Sequence, residues 1–498
     1  MDAALTLARL EEIVDASGAA ASLEALLPVG VRRRQLSVRT LFIGILLALS
    51  HGRPAHLTRV HRALIELAEG DRVSLGVCVE GNGRRHVLTY RQVEYTFALI
   101  ERALAKEQPD GAPSDLLQGL NDALVEASVP AARKGASASL AVDWSDHESF
   151  AFPPGRRRPS ADPEASWGHR RGGPTRGDRF YGYYFSAATM VADEGAPAVP
   201  ELVRRMQLST AALDPVPTFV GVLEHMTYDG IGLGDVLCDS GYAHRRAEHW
   251  ALRVRRAGGQ LVMDLHPHDR GTQGTHEGAI CWNGALYCPA TPIALFDLEP
   301  LSRTASAAEV LAHDARSAEL SRYKLGRISA DDADGYHRVM CPAAMGKVRC
   351  PSRPESMALG FARPQIVAPP DPGPTCCTQQ TLTIGPAVNA KTAQKYDYPS
   401  RAHRQSYARR TAVERAYATL KDPASTDITR GWCRLMGLCA NSVMLTCGVV
   451  VRNLRVIDAF EAREEQDRRR MAAGLEPRPR RRRRKTLVDL VDATTAPP

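Results

Sequence analysis

Two short apolar runs, Leu140-Ala141-Val142 and Val236-Leu237-Cys238, each lead directly into an aspartate, and this pairing narrows the folds open to the chain more than any other feature. A run of this length with no polar interruption suits a strand covered on both faces inside a sheet. Phe180 to Val191 reads as a further strand, or two, and a helical stretch is expected near Pro200 to Met206. Strands that alternate with helices in this way predict an α/β architecture built on one sheet.

The chain is 498 residues long, enough for several domains, and its hydrophobic fraction of 44% with 24% charged residues excludes wholesale disorder. Residues 1–130 read as helical, with Leu5, Leu7, Leu10 and Ile13 at near-helical spacing. Arg32, Arg33, Arg34, Arg39, Arg59 and Arg62 make this region basic, as either a DNA-end-binding domain or a helical bundle without that task. Residues 138–258 form the first part of the sheet-based core, and Pro153 to Asp178 reads as a loop. Residues 259–395, rich in Gly, Pro and Cys, read as an inserted β-rich unit, with strand-like pieces at Gly259 to Leu265, Ile280 to Tyr287 and Tyr336 to Cys341. Helix returns over 396–462, and a basic, disordered tail is expected over 463–498. Arg478, Arg480 to Arg484 and Lys485 supply seven charges of the net +8, so the excess belongs mostly to that tail. A tail of this kind suits a polyanion, although a solvated charge run is its commoner meaning.

No apolar run reaches the roughly 20 residues a spanning helix needs, and the start lacks a basic region ahead of an apolar one. The expected location is therefore cytoplasmic.

The chemistry concentrates at three places. Asp143 and Asp239 close the two apolar runs, where their carboxylates can share a divalent cation if the strands are neighbours, because hard oxygen ligands suit Mg²⁺. A strand-ending Asp is also a common turn former or helix cap. Asp146 and Asp235 lie close by and could serve instead, although neither ends its run as cleanly. The third place is a helix expected from Ser400 to Asp422, where Tyr407, Arg410, Glu414 and Lys421 fall within a sector about 60° wide at 100° per residue. Val413, Tyr417 and Leu420 adjoin that sector and can anchor the helix on a sheet. Such a face offers one carboxylate for a cation, with Arg, Lys and Tyr placed for phosphate oxygens.

Ala141-Val142-Asp143, Leu237-Cys238-Asp239-Ser240-Gly241-Tyr242 and the Tyr407/Arg410/Glu414/Lys421 set resemble the three acidic motifs of bacterial insertion-sequence transposases of the cut-and-paste DDE type, whose YREK signature the last set matches position for position. The resemblance spans about residues 138–450. It implies a ribonuclease-H-like core with an insertion between the second and third acids, and here 174 residues separate Asp239 from Glu414. It further implies that Asp143, Asp239 and Glu414 hold two Mg²⁺ or Mn²⁺ ions for phosphoryl transfer. Tyr407, Arg410 and Lys421 would grip DNA phosphates near the element's end, and the partners would be terminal repeats, target DNA and a second copy of the chain in the DNA complex, placing it at the nucleoid. Trp282 is a candidate for holding a flipped base, against the alternative of a core Trp.

Of the 11 cysteines, Cys281, Cys288, Cys341, Cys350, Cys376 and Cys377 cluster in the insertion. Cys288, Cys341, Cys350 and one of Cys376 or Cys377 could hold a structural Zn²⁺, against the alternative of buried free thiols. His147, His169 and His244, near the acidic motifs, read as hydrogen-bonded histidines rather than ligands. Two further function classes stay open beside a transposase: an inactive DNA-binding descendant, and a metal-dependent nuclease without strand transfer.

Overall fold

The computed structural model describes residues 5–28, 34–81, 84–170, 179–302 and 304–478. At its centre lies a mixed sheet. The strand Leu140–Glu148 pairs antiparallel with Arg179–Met190 on one side and parallel with Asp235–Cys238 on the other. Asp235–Cys238 then pairs parallel with Gln260–Met263. The far edge of Arg179–Met190 is shared by Ser166–His169 along its first residues and by Val203–Thr210 along the rest. The α/β expectation is met.

Each face of this sheet has its own core, divided by strand parity. Leu140, Val142, Val236, Cys238, Leu261 and Met263 point into one cluster, under the helices Pro215–Tyr228 and Ala251–Arg256. Ala141, Leu237 and Val262 point into the other, which the chain's two ends build together. There the long helix Leu438–Ala472 buries its first half against the N-terminal helices Val38–Ser50 and Asp115–Ala127. Residues 5–127 are mainly helical, as expected, with one hairpin pairing Cys78–Gly81 and Arg84–Val87. They are no free-standing module, because their apolar face is continuous with the sheet's.

Several expectations need correction. The stretch at 200–206 is not helical: Val203–Thr210 is a fully buried strand. Its consecutive arginines imitate a helix's polar face in the sequence, but they are buried and neutralised by carboxylates. Arg204 pairs with Glu126 at 3.1 Å, and Arg205 pairs with Glu126 at 3.2 Å and Asp229 at 2.9 Å. Beyond this edge strand, Asn453 acts as a substitute neighbour. Its amide accepts from Val203 N at 3.0 Å, and donates to Val203 O at 2.8 Å and Ser128 Oγ at 2.9 Å. Asn453→Ala is expected to cost about 2–3 kcal/mol in urea denaturation, since it strands a buried backbone N–H and C=O together.

Asp143 does not end its strand. The ladder to Arg179–Met190 carries the strand on to Glu148, and what stops after Ala141 is the pairing with Asp235–Cys238. The insertion begins later than residue 259, because Gln260–Met263 belongs to the central sheet. Ser166–His169 is a strand within the expected loop. The C-terminal helix runs ten residues past the expected boundary at 462, to Ala472. Arg32, Arg33 and the arginine run from Arg480 lie outside the described residues.

The insertion is not the β-rich unit expected: among the described residues its strands are two to five residues long, the helix Ala307–Arg322 alone has 16 residues, and most of the rest is irregular. It holds two three-stranded antiparallel sheets, one of Thr272–His276, Ala279–Trp282 and Ala285–Tyr287, the other of Gly326–Arg327, His337–Met340 and Thr381–Ile384, with the helix Ala307–Arg322 between them in sequence. No described helix is long and apolar enough to cross a membrane.

Candidate functional site

Parallel register brings the two aspartates together. Leu140 lies opposite Val236 and Ala141 opposite Leu237, so the same offset carried two residues further sets Asp143 opposite Asp239. Both share parity with Ala141 and Leu237 and so lie toward the sheet face packed with the C-terminal helices. Asp239 also N-caps the one-turn helix Ser240–Ala243, with its Oδ1 accepting from Gly241 N at 2.9 Å. Residue 241 must be small, because a Cβ there would meet the Trp144 ring at 2.5 Å and Asp239 Oδ1 at 3.0 Å.

The third acid arrives on the helix Thr411–Lys421, which buries Val413, Ala416, Tyr417 and Leu420 against the sheet. The Tyr417 hydroxyl donates to Asp143 O at 2.7 Å and Phe185 O at 3.0 Å, locking the helix to the backbone that carries the first acid. The expected continuous helix from Ser400 is broken. Ser400 does cap Arg401–Tyr407, but Ala408–Arg410 is a 3-10 turn before the next helix begins. At about 120° per residue that turn stacks Arg410 under Tyr407, so the four-residue face survives the break.

Arg410 joins the acids. Its guanidinium lies 2.7 Å from Asp143 Oδ2, 3.6 Å from Asp239 Oδ2 and 2.5 Å from Glu414 Oε1. Three carboxylates against one guanidinium leave two formal negative charges where the pairing of the two interior strands ends. Asp143 is the most enclosed of the three, and Glu414 is half-exposed. Burial pushes the Asp143 carboxyl up to about 7; Arg410 opposes this, and Asp239 and Glu414 add to it. Because the folded pKa stands above the unfolded value of 3.8, the folded state binds more protons between them, and stability falls as pH rises from 3.8 to about 7. Asp143→Asn removes that loss. In divalent-free buffer its stability relative to wild type should be greater at about pH 8 than at about pH 5 by a few kcal/mol; a difference unchanged between the two would contradict this assignment.

The other expected contacts are placed as follows. Lys421 reaches Ser145 Oγ at 2.8 Å and Asp146 Oδ1 at 2.7 Å, so it flanks the acids and is paired with a fourth one. Tyr407 is largely enclosed, stacked on His403 with centroids 5.5 Å apart, and burial pushes its hydroxyl pKa up. Asp146 is held below the usual carboxylate range by Lys421 and Arg170 against the cost of burial. Asp235 lies at the opposite end of its strand from Asp239 and is clamped by Lys395 at 2.9 Å and Arg409 at 2.5 Å. It is a structural ion pair, remote from the three acids.

Two residues escaped the sequence reading. Asp264 follows Met263, whose partner is Cys238, so it occupies on the third parallel strand the place of Asp239 on the second. Its carboxylate accepts from the Tyr398 hydroxyl at 2.6 Å. Asp269 is a further residue without a sequence signal, and hydrogen-bonds His244 (Nδ1 to Oδ2, 3.2 Å), the hydrogen-bonded surface histidine expected. His147 is one, fully buried, 3.2 Å from Asn441 Oδ1, with burial taking its pKa down to about 4. His169 lies exposed on the short strand Ser166–His169.

Trp282 packs in the insertion's core against Tyr287 and Phe296, which removes it as a base-holding surface residue. Cys288, Cys341 and Cys350 share that same apolar cluster. Cys376 and Cys377 approach to 4.0 Å between sulfurs, but among the described residues no three thiols lie within 4.8 Å of one another. In the N-terminal region, Arg34 pairs with Glu24, and Arg39 with Asp15 at 2.6 Å and Glu11 at 3.2 Å. Arg59 and Arg62 are exposed on the helix Leu57–Ile65, without an ion pair among the described residues.

The fold and its three acids define a mixed α/β protein with clustered carboxylates. Compared with the models of known protein families and with curated proteins, the chain matches none.

Proposed function

We propose that the chain is a DNA transposase of the DDE type, catalysing metal-dependent strand cleavage and strand transfer of an insertion sequence. The observation that carries this reading is the meeting of Asp143, Asp239 and Glu414, far apart in sequence, on the single guanidinium of Arg410. A ribonuclease-H-like sheet is supported by the strand sequence: three antiparallel strands, 140–148, 179–190 and 203–210, then two parallel ones, 235–238 and 260–263, extending from the first.

The three carboxylates are the all-oxygen donor type that Mg²⁺ or Mn²⁺ takes, with uncompensated negative charge, but spread around Arg410 they do not bring one oxygen each within 4.8 Å of one another, so a shared ion would require Arg410 to give way. When bound, such ions supply charge stabilisation for phosphoryl transfer and favour deprotonation of a water or 3′-hydroxyl. The protein's own part is positional. Tyr417 fixes the Glu414 helix to Asp143, and the Gly241 N–H holds the Asp239 carboxylate. Arg410 balances the acids, and with cations bound to them it would be free to meet a phosphate. Lys421 stands beside them with Asp146 as its resting partner.

The test is incubation of the purified chain and Mg²⁺ with labelled duplexes made from the two DNA segments that flank its gene. The reading expects new 3′-hydroxyl ends followed by joining to target DNA. Cleavage without joining would favour a nuclease, and binding without cleavage an inactive descendant.

A further inference from the structure

A cluster of histidines with one carboxylate lies apart from the three acids and rests on different residues. His244 caps the one-turn helix that follows Asp239, while His266, His268 and Asp269 occupy the loop after the third parallel strand. The two segments meet face to face: the His244 and His266 rings are 4.0 Å apart between centroids and tilted by 31°, and His268 is 5.0 Å from His266. One ligand atom each from His244, His266 and Asp269 lies within 4.8 Å of the others.

A cation bound here would share Asp269 with Lys391. Lys391 already sits 2.6 Å from Asp269 Oδ1, so three imidazoles and an ammonium crowd a single carboxylate. A protonated imidazole there repels the others, and a neutral one presents a lone pair. His266 makes one long hydrogen bond, accepting from His268 N at 3.3 Å, so little holds its ring where it stands. Two imidazoles and a carboxylate match borderline first-row cations rather than Mg²⁺, and three protein ligands leave a further position for water or for His268.

We propose that His244, His266 and Asp269 form a binding site for a divalent transition metal of the Zn²⁺ or Co²⁺ kind, which ties the segment after Asp239 to the loop after the third parallel strand. The site does not depend on the chain being a transposase. All three ligands sit on surface segments, so their replacement leaves the core intact.

Co²⁺ is the probe, titrated into divalent-free full-length protein under reducing conditions and followed by its visible absorption. The expected result includes one equivalent bound with nitrogen-and-oxygen ligand-field bands, distinct from any cobalt held by the all-oxygen set Asp143, Asp239 and Glu414, and no thiolate charge-transfer band. His244→Ala, His266→Ala and Asp269→Asn should each weaken that binding by at least about tenfold, while His249→Ala leaves it unchanged. Equal binding by the three variants and wild type would overturn the proposal. So would bound cobalt carrying only thiolate bands, which would assign it to the insertion's cysteines.

Discussion

Asp143→Ala, Asp239→Ala and Glu414→Ala are each expected to lose Mg²⁺-dependent DNA strand cleavage by at least about a thousandfold, equivalent to about 4 kcal/mol of barrier, while keeping DNA binding. The three positions contribute differently to the fold, so the shared loss would be informative. Asp143 is enclosed and costs stability when ionised, Asp239 caps a helix turn, and Glu414 is half-exposed on a helix surface. A merely structural role would give three different outcomes. Asp235→Ala supplies the contrast. It breaks a buried pairing with Lys395 and Arg409 and should lower stability by about 3 kcal/mol, yet the protein that remains folded should cleave normally. Gel analysis of nicked product, set against denaturant midpoints, separates the two kinds of effect.

Arg410→Ala is the second change with a large expected effect. It removes the cation that touches all three acids, leaving Asp143 enclosed beside two like charges. Breaking a buried ion pair from one side costs about 3–5 kcal/mol, so the divalent-free variant should unfold well below wild type. The loss should be larger at about pH 8 than at about pH 5, since a proton on Asp143 partly replaces the missing guanidinium. Added Mn²⁺ should raise the variant's melting temperature more than it raises that of wild type, because the ion supplies the charge the variant lacks. A variant as stable as wild type, or indifferent to Mn²⁺, would show that these carboxylates are not electrostatically joined.

The acids were legible in the sequence because each is anchored to a local pattern. Asp143 and Asp239 follow apolar runs, and Val413, Tyr417 and Leu420 mark the buried side of the Glu414 helix. What brings them together is parallel pairing across about a hundred residues, and no local pattern carries that information. The misreadings have physical causes of the same sort. Val203–Thr210 looked helical because Arg204 and Arg205 suggest solvent, whereas Glu126 and Asp229 accompany them into the interior. The 3-10 turn at Ala408–Arg410 leaves no mark in a hydrophobic period, because one tight turn shifts the helical phase by only about 60°. Asp264 carries no sequence signal because its strand Gln260–Met263 opens a Gly-, Pro- and Cys-rich stretch, and the meeting of His244 with His266 and Asp269 carries none because it joins two loops with no common periodicity.

If Asp143, Asp239 and Glu414 act together as a divalent-cation site, Mn²⁺ uptake should depend on all three. Titration of Mn²⁺ followed by the free-ion electron paramagnetic resonance signal tests this most directly, comparing His266→Ala with the double variant His266→Ala, Asp239→Ala so that the histidine cluster contributes to neither. Mn²⁺ should bind the first protein and bind the second at least about tenfold more weakly. Equal uptake by both would contradict it.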